Sequence, residues 1–357
     1  MMETTRPTVR GARPEVGAAA PATDAGGTRA VRTLVFIRDR GIILLWLLLV
    51  VIFAVWAQPY FFSLTNAALV ANAAALTALF AAAVAFGILS GALDLSIPAS
   101  AALSSVVAGQ ILTAGGPTWL AVLAGLVSGS MVGLINGVLV QRGLNPLVVT
   151  IASLTSIGGI ATLIAGGLAI PGINQLSWMG SQRYWGIPAP VFLVGFVYLL
   201  AWFFLTQTRA GARMQAVGGN VEAVRRVGIS ADRYRILGFM LGSLAGALGG
   251  LAVTAVTLQA SPAASTSLLF TGITAVALSG MPLSGGRGSM PRVLVGALII
   301  ETINSALVIK GIEPAWTTVV TGVLLVLALI FERTMSKAVT ARLTVSETAA
   351  PPAPQEA

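Results

Sequence analysis

Apolar residues in this chain come in runs as long as a lipid bilayer is thick, not in the broken stripe of a soluble helix. A helix rises about 1.5 Å per residue, so crossing ~30 Å of hydrocarbon takes about 20 mostly apolar residues. Ten such stretches can be marked, at 42 to 58, 66 to 89, 98 to 114, 118 to 140, 147 to 166, 188 to 206, 236 to 257, 267 to 282, 293 to 309 and 315 to 331. The third and eighth are short, and a count of eight, reached by dropping two adjacent stretches, stays open. Short polar links join them, with one long exception from Gln207 to Arg235. The pattern predicts an all-α polytopic membrane protein with about ten transmembrane helices.

Charge orients the prediction. Lys and Arg accumulate in cytoplasmic loops. With the amino terminus inside, only Arg183 and Lys310 of the 21 basic residues fall outside, and both termini are cytoplasmic. Trp56, Trp119, Trp178, Trp185 and Trp316 then lie at or between outer ends, where interfacial aromatics belong, although packing against a neighbouring helix explains any single one equally well. Residues 1 to 35, rich in Ala, Pro, Gly and Arg, bury no core and are expected as a disordered cytoplasmic tail. A membrane domain follows over 36 to 335, then a second cytoplasmic tail over 336 to 357. The first apolar run reads as a retained helix, because more spans follow it.

Composition narrows the chemistry. The chain is 56% hydrophobic and 9% charged, against roughly 25% charged in soluble domains. It has no cysteine and no histidine. Disulfides, thiol chemistry and the usual transition-metal ligands are therefore excluded, and neither a metal nor a cofactor is expected. The net charge of +9 sits between apolar runs instead of on one soluble face, so no nucleic-acid partner is expected.

Two segments align without gaps: "INGVLVQRGLNP" (135 to 146) and "INSALVIKGIEP" (303 to 314). The offset of 168 residues is five spans, an odd number, which gives the copies opposite orientation in the membrane. An inverted repeat relating spans 2 to 5 to spans 7 to 10 is the expectation, with a solute route between the halves. "SIPASAAL" from Ser96 and "ASPAASTSL" from Ala260 form a fainter second echo. Chance similarity in Ala- and Val-rich sequence is the competing explanation.

The long link, 207 to 235, contains "AVGGNVEAVRRVGIS". Asn220 can cap a short helix and Gly228 can end it in the left-handed conformation. At about 100° per residue, Val221, Ala223, Val224 and Val227 share one half of that helix and Glu222, Arg225 and Arg226 the other. On these residues alone a membrane-surface helix, a plain connector and a docking element all remain open.

This segment, preceded by "TRAGARMQ", resembles the cytoplasmic loop of permease subunits of ribose- and xylose-type ABC importers. "GALDLSIPASAAL", "GLINGVLVQRGLNPLVVTIASLTSIGGIATLIAGG" and "LSGGRGSMPRVLVGALIIETINSAL" are similar to further segments of that family, so the resemblance covers residues 40 to 335. The family's paired glycines before "GGRGS" are missing, and Pro98 and Pro171 are unusual. The resemblance implies a multi-pass protein of the plasma (inner) membrane that imports a monosaccharide. It also implies ABC ATPase subunits below, an extracytoplasmic solute-binding protein above, and a second permease copy beside it in the lipid bilayer. Gly218, Gly219, Asn220, Glu222, Ala223, Arg225, Arg226 and Gly228 would then couple to the ATPase. The chain's two lysines, Lys310 and Lys337, are followed by Gly and Ala, so no Gly-Lys-Ser/Thr phosphate loop exists and ATP hydrolysis is assigned to partner chains, not to this one. "GGRGS" has no lysine and no preceding strand, and is expected as a tight turn.

Ionisable groups near the bilayer centre cost about 2.5–3.5 kcal/mol on insertion scales, so each needs a reason. Glu301 lies mid-span with Asn304 and Ser305 on the same face. Asn72 and Asn136 lie within or near spans 2 and 4, and Asp94 occupies the break between spans 2 and 3. Asn72, Asp94, Asn136, Glu301 and Asn304 are candidate linings of a translocation path; alternatively they tie helices together, and Asp94 caps the third span. An ion-coupled secondary transporter is the competing class, and a membrane-embedded enzyme is disfavoured for want of His, Cys or paired carboxylates.

Overall fold

The computed structural model describes residues 25–263 and 265–348. The described residues divide at Gly41 into two units. The helices are α1 (Ala25–Trp56), α2 (Leu64–Leu89), α3 (Ile97–Thr113), α4 (Thr118–Gln141), α5 (Pro146–Ile164), α6 (Ser177–Gly180), α7 (Ala189–Gln207), α8 (Arg209–Gly219), α9 (Val221–Arg226), α10 (Ala231–Thr257), α11 (Thr266–Leu278), α12 (Met290–Ile309) and α13 (Pro314–Thr348). Each predicted apolar stretch falls on one of these. Among the described residues, α2, α4, α5, α7, α10 and α12 are long and apolar enough to cross a bilayer, and α1, α3, α11 and α13 contain shorter apolar helices.

Two expectations meet differences at the chain ends. α1 begins at Ala25, inside the stretch expected as tail, where Ala and Arg follow the last early proline and favour a helix. α13 likewise runs on to Thr348, through residues expected as the second tail. Residues 1–24 and 349–357 of those tails lie outside the described residues.

Close packing comes from small residues. On α4, Gly125, Gly129, Gly133 and Gly137 recur every fourth residue and so form one face. A β-carbon there would come within 2.8 Å of the Ser104 carbonyl oxygen at Gly125, within 3.0 Å of the Ser100 carbonyl oxygen at Gly129 and within 2.8 Å of the Ile236 α-carbon at Gly137. α3 and α10 therefore lie backbone-close to α4, the arrangement favoured where lipid removes any hydrophobic drive between helices. On α10, Gly238 faces Ser90, Gly242 faces Ala83 and Gly249 faces Phe80. Rising numbers on one helix meet falling numbers on the other, so α10 and α2 run antiparallel. Among the six long apolar helices α2 is the most enclosed, with residues 77 to 90 all buried.

The 168-residue offset reappears in element boundaries. α2 and α10 end at Leu89 and Thr257, α4 and α12 at Gln141 and Ile309, and α5 and α13 begin at Pro146 and Pro314. The two aligned segments fold as the same turn: Gly143 and Gly311 are left-handed at φ +95° and +70°, and the next amide, Leu144 or Ile312, donates back to the carbonyl of Leu139 or Leu307. That turn also closes α3 and α5, so it is not diagnostic alone. Packing adds to it. α10 on α4, α10 on α3, α3 on α4 and α3 on α5 become α2 on α12, α2 on α11, α11 on α12 and α11 on α13 when each helix is exchanged for its offset partner, and all of these pairs pack together.

One end of the bundle gathers α8, α9, the α2–α3 connection and the α11–α12 turn. The other gathers the α5–α7 connection and residues 258–263. There β1 (Ile170–Pro171) pairs antiparallel with a strand at Gln259–Ala260, and Ile173 and Leu176 are buried against Leu112, Ala121, Leu251 and Ala255. Between them, β2 (Arg183–Tyr184) and β3 (Ile187–Pro188) make a hairpin; the strand at Gln259–Ala260 is β4.

Candidate functional site

The predicted short helix is α9. Asn220 caps it, its Oδ1 accepting from the Ala223 amide at 2.9 Å, and Gly228 at φ +75° turns the chain away after it. The helix has six residues, so its apolar stripe is one pair: Val221 and Val224 pack with Val217, Ile229, Ala231 and Tyr234. Of the three readings left open by the sequence, a membrane-surface helix would need that apolar stripe free. The apolar face of α9 is spent on α8 and the start of α10. Ala223 is exposed, and Val227, beyond the helix end, is 71% exposed.

The charges remain available. Glu222, Arg225 and Arg226 are all exposed. Arg225 also pairs with Asp232 at 3.1 Å, an exposed contact worth about 0–1 kcal/mol. Gly218 and Gly219 divide from the rest of the predicted set. Both end α8, and Gly218 packs against Leu89 and Gly286 within the fold instead of facing outward. α8 itself was missed in the sequence. "RAGARMQAVGG" has too many glycines and charges to read as a helix, yet Thr208 caps it and Met214 and Val217 bury one face.

The five candidate path residues fall in three places. Asp94 and Asn136 join one fully buried network. Asp94 Oδ1 accepts from the Ser96 amide at 2.8 Å and from its hydroxyl at 2.6 Å; Asn136 Nδ2 donates to the same hydroxyl oxygen at 2.8 Å, and the Ser153 hydroxyl donates to Asn136 Oδ1. Asp94 thus bonds Ser96, the residue before α3, and not an amide inside that helix as a cap would, and the network ties α3, α4 and α5. Its second oxygen, Oδ2, is buried without a partner.

Glu301 and Asn304 form the second group. Thr77 on α2 donates to Glu301 Oε1 at 2.7 Å, and Asn304 Nδ2 donates to Oε2 at 3.3 Å, as their spacing predicts. Ser305 donates to Asn66 at 2.7 Å, and Trp46 to Thr302 at 3.1 Å. The network therefore clamps α12 between α2 and α1.

Asn72 stands apart from both. It lines a cleft with Ser181, Gln182 and Arg183 at the end opposite α9, and its buried Oδ1 has no partner. A second, smaller cleft there is lined by Phe80, Ser105, Gly250, Gln259, Ser261 and Ser265, none of them anticipated. Ser105 and Thr254 bond across α3 and α10 at 2.6 Å. A serine in an Ala-rich helix ordinarily bonds its own preceding turn, so sequence offers no sign of such a partner.

These elements define a mostly helical multi-pass membrane protein with exposed charges at one end and polar clefts at the other. The chain belongs to the family described as the permease component of the branched-chain amino acid transport system, which matches residues 66–329. It is 30% identical over 281 residues to the ribose import permease protein RbsC of Escherichia coli, covering 77% of this chain and 88% of that one. To the protein of the same name from Bacillus subtilis it is 32% identical over 296 residues, covering 82% and 92%. To the L-arabinose transport system permease protein AraH of Escherichia coli it is 30% identical over 283 residues, covering 78% and 86%. No solved structure matches.

Proposed function

We propose that this chain is the permease subunit of an ABC importer and forms the pathway for a small hydroxylated solute, a monosaccharide, driven by separate ATPase subunits. Its relatives are named for ribose and L-arabinose import, and D-allose transport is named in a third, AlsC of Escherichia coli. The observation that carries the reading is α9: a capped helix whose apolar side is fixed to α8 and α10 while Glu222, Arg225 and Arg226 face outward. A helix buried in lipid headgroups would keep its apolar side free. Docking to a protein needs the reverse, charges presented in fixed register on a rigid base. The ATPase-coupling role is therefore assigned to Asn220, Glu222, Ala223, Arg225, Arg226 and Gly228, with Gly218 and Gly219 acting behind them.

The same reading supplies the topology. An inverted repeat of spans 2 to 5 on 7 to 10 is supported by the coincident boundaries, the exchangeable packing and the antiparallel α2 and α10; ten spans with cytoplasmic termini rest on the apolar runs and the distribution of Lys and Arg. The membrane domain covers 36–335, with the coupling loop at 207–235 on the cytoplasmic face. A solute-binding protein meets the opposite face, and a second permease copy completes the assembly in the plasma (inner) membrane. Of the five path candidates, Asn72 carries the strongest case for touching solute, since it lines a cleft and its buried Oδ1 has no partner. Asp94 and Asn136 are fully enclosed and Glu301 is held by Thr77 of α2 and by Asn304, so these act chiefly as ties between helices, while Asn304 keeps a buried Oδ1 without a partner.

The test is co-purification with the ATPase. Glu222→Ala combined with Arg226→Ala is expected to lower ATPase recovery at least about tenfold, the loss of 1.4 kcal/mol or more, with membrane insertion unchanged. Full recovery of the complex would mean that α9 is only a connector.

A further inference from the structure

Three segments far apart in sequence meet backbone to backbone beside α9: the α2–α3 connection, the end of α8 and the α11–α12 turn. A β-carbon on Gly218 would overlap the Leu89 carbonyl oxygen and stand 2.8 Å from the Gly286 amide nitrogen. One on Gly285 would lie 2.6 Å from the Ile88 carbonyl oxygen and 3.0 Å from that of Gly218, and one on Gly91 would lie 3.1 Å from the Gly218 α-carbon. Backbones touch here with no side chain between them to yield. Gly219 differs, since its β-carbon would meet only the Gly286 α-carbon, at 3.8 Å.

The joint connects what its neighbours move. α8 and α9 share Asn220 as the end of one and the cap of the other, and Val217 of α8 packs in one cluster with Val224 of α9, so the two helices form one body. Leu89 ends α2, the enclosed helix on which α7, α10, α11 and α12 pack. Gly285 and Gly286 lead into α12. A push on α9 therefore has no soft layer to cross before it reaches α2 and the approach to α12, because close-packed interiors transmit displacement instead of absorbing it.

We infer that Gly218, together with Gly91 and Gly285, is a positioning residue of the transport cycle, passing movement of the α8–α9 body directly to the end of α2 and the α11–α12 turn. The inference rests on the reading that an ATPase docks on α9. It assigns these glycines a role inside the permease, not a contact with the partner.

Hydrogen exchange on the purified permease–ATPase complex tests it, comparing the nucleotide-free state with the state trapped by ATP and vanadate. In the unsubstituted complex, trapping is expected to change exchange at 89–91 and 282–286 by at least about threefold, together with 214–226. With Gly218→Ala, complex recovery should persist and the change at 214–226 remain, while that at 89–91 and 282–286 disappears. Gly195→Ala on α7, where nothing lies within 4 Å of the new carbon, should behave as the unsubstituted chain. A change confined to 209–226 in the unsubstituted complex would overturn the inference while leaving the docking reading intact, and needs no variant to fold. Full transmission through Gly218→Ala would overturn it too. Failure of any complex to form would instead remove the docking reading, and this inference with it.

Discussion

Single residues in this protein divide by whether their polar atoms have capacity to spare. Asn136 accepts from Ser153 and donates to Ser96, whereas the buried Oδ1 of Asn72 has no partner. Both asparagines were visible in the sequence as anomalies in oil, but their opposite conditions were not, because the deciding partners are serines tens of residues away. Asn220 was the legible case. A cap acts on amides two or three residues ahead, so its evidence is local. Replacing it by alanine is expected to cost about 1 kcal/mol of local stability, which opens α9 about fivefold more often. Limited trypsin digestion at Arg225 and Arg226 should accelerate by that factor, and Asn220→Asp should restore protection. An unchanged digestion rate would mean that α9 does not depend on its cap.

Elements were legible wherever one property set them. Bilayer-length apolar runs located the ten apolar helices nearly to the residue, since lipid demands both length and composition at once. α8 escaped because its composition is that of a loop and its helicity comes from Met214 and Val217 packing elsewhere in the fold. The glycine face of α4 was in plain view, at 125, 129, 133 and 137, yet only the neighbouring backbones give it meaning. Gly133 faces the Phe239 carbonyl and the Ser243 side chain with no room for a β-carbon. Gly133→Val is therefore expected to cost about 3 kcal/mol or more and to abolish recovery of monodisperse protein in detergent. Gly195→Ala on α7, where nothing lies within 4 Å of the new carbon, should leave recovery unchanged. Equal recovery of the two variants would contradict close α4–α10 packing.

At the scale of the whole molecule, the two ends have different work. Around α9 the chain is charged outward and glycine-tight inward, while the opposite end carries polar clefts beneath a connection pinned by Ile173 and Leu176. The proposed repeat would relate the halves that join these ends: the aligned turns were legible as a 168-residue echo, while the exchange of packing partners needed coordinates. Missing from the chain is any phosphate loop, so on the proposed reading energy arrives from outside through α9. The measurement that tests this most directly is solute uptake into proteoliposomes containing the permease, with its ATPase and solute-binding protein added or withheld. Ribose, L-arabinose and D-allose serve as labelled probes. Uptake of at least one is expected only when ATP, the ATPase and the binding protein are all present, and none with a proton or sodium gradient alone. Gradient-driven uptake by the permease without the ATPase would contradict the account and make the chain an ion-coupled transporter.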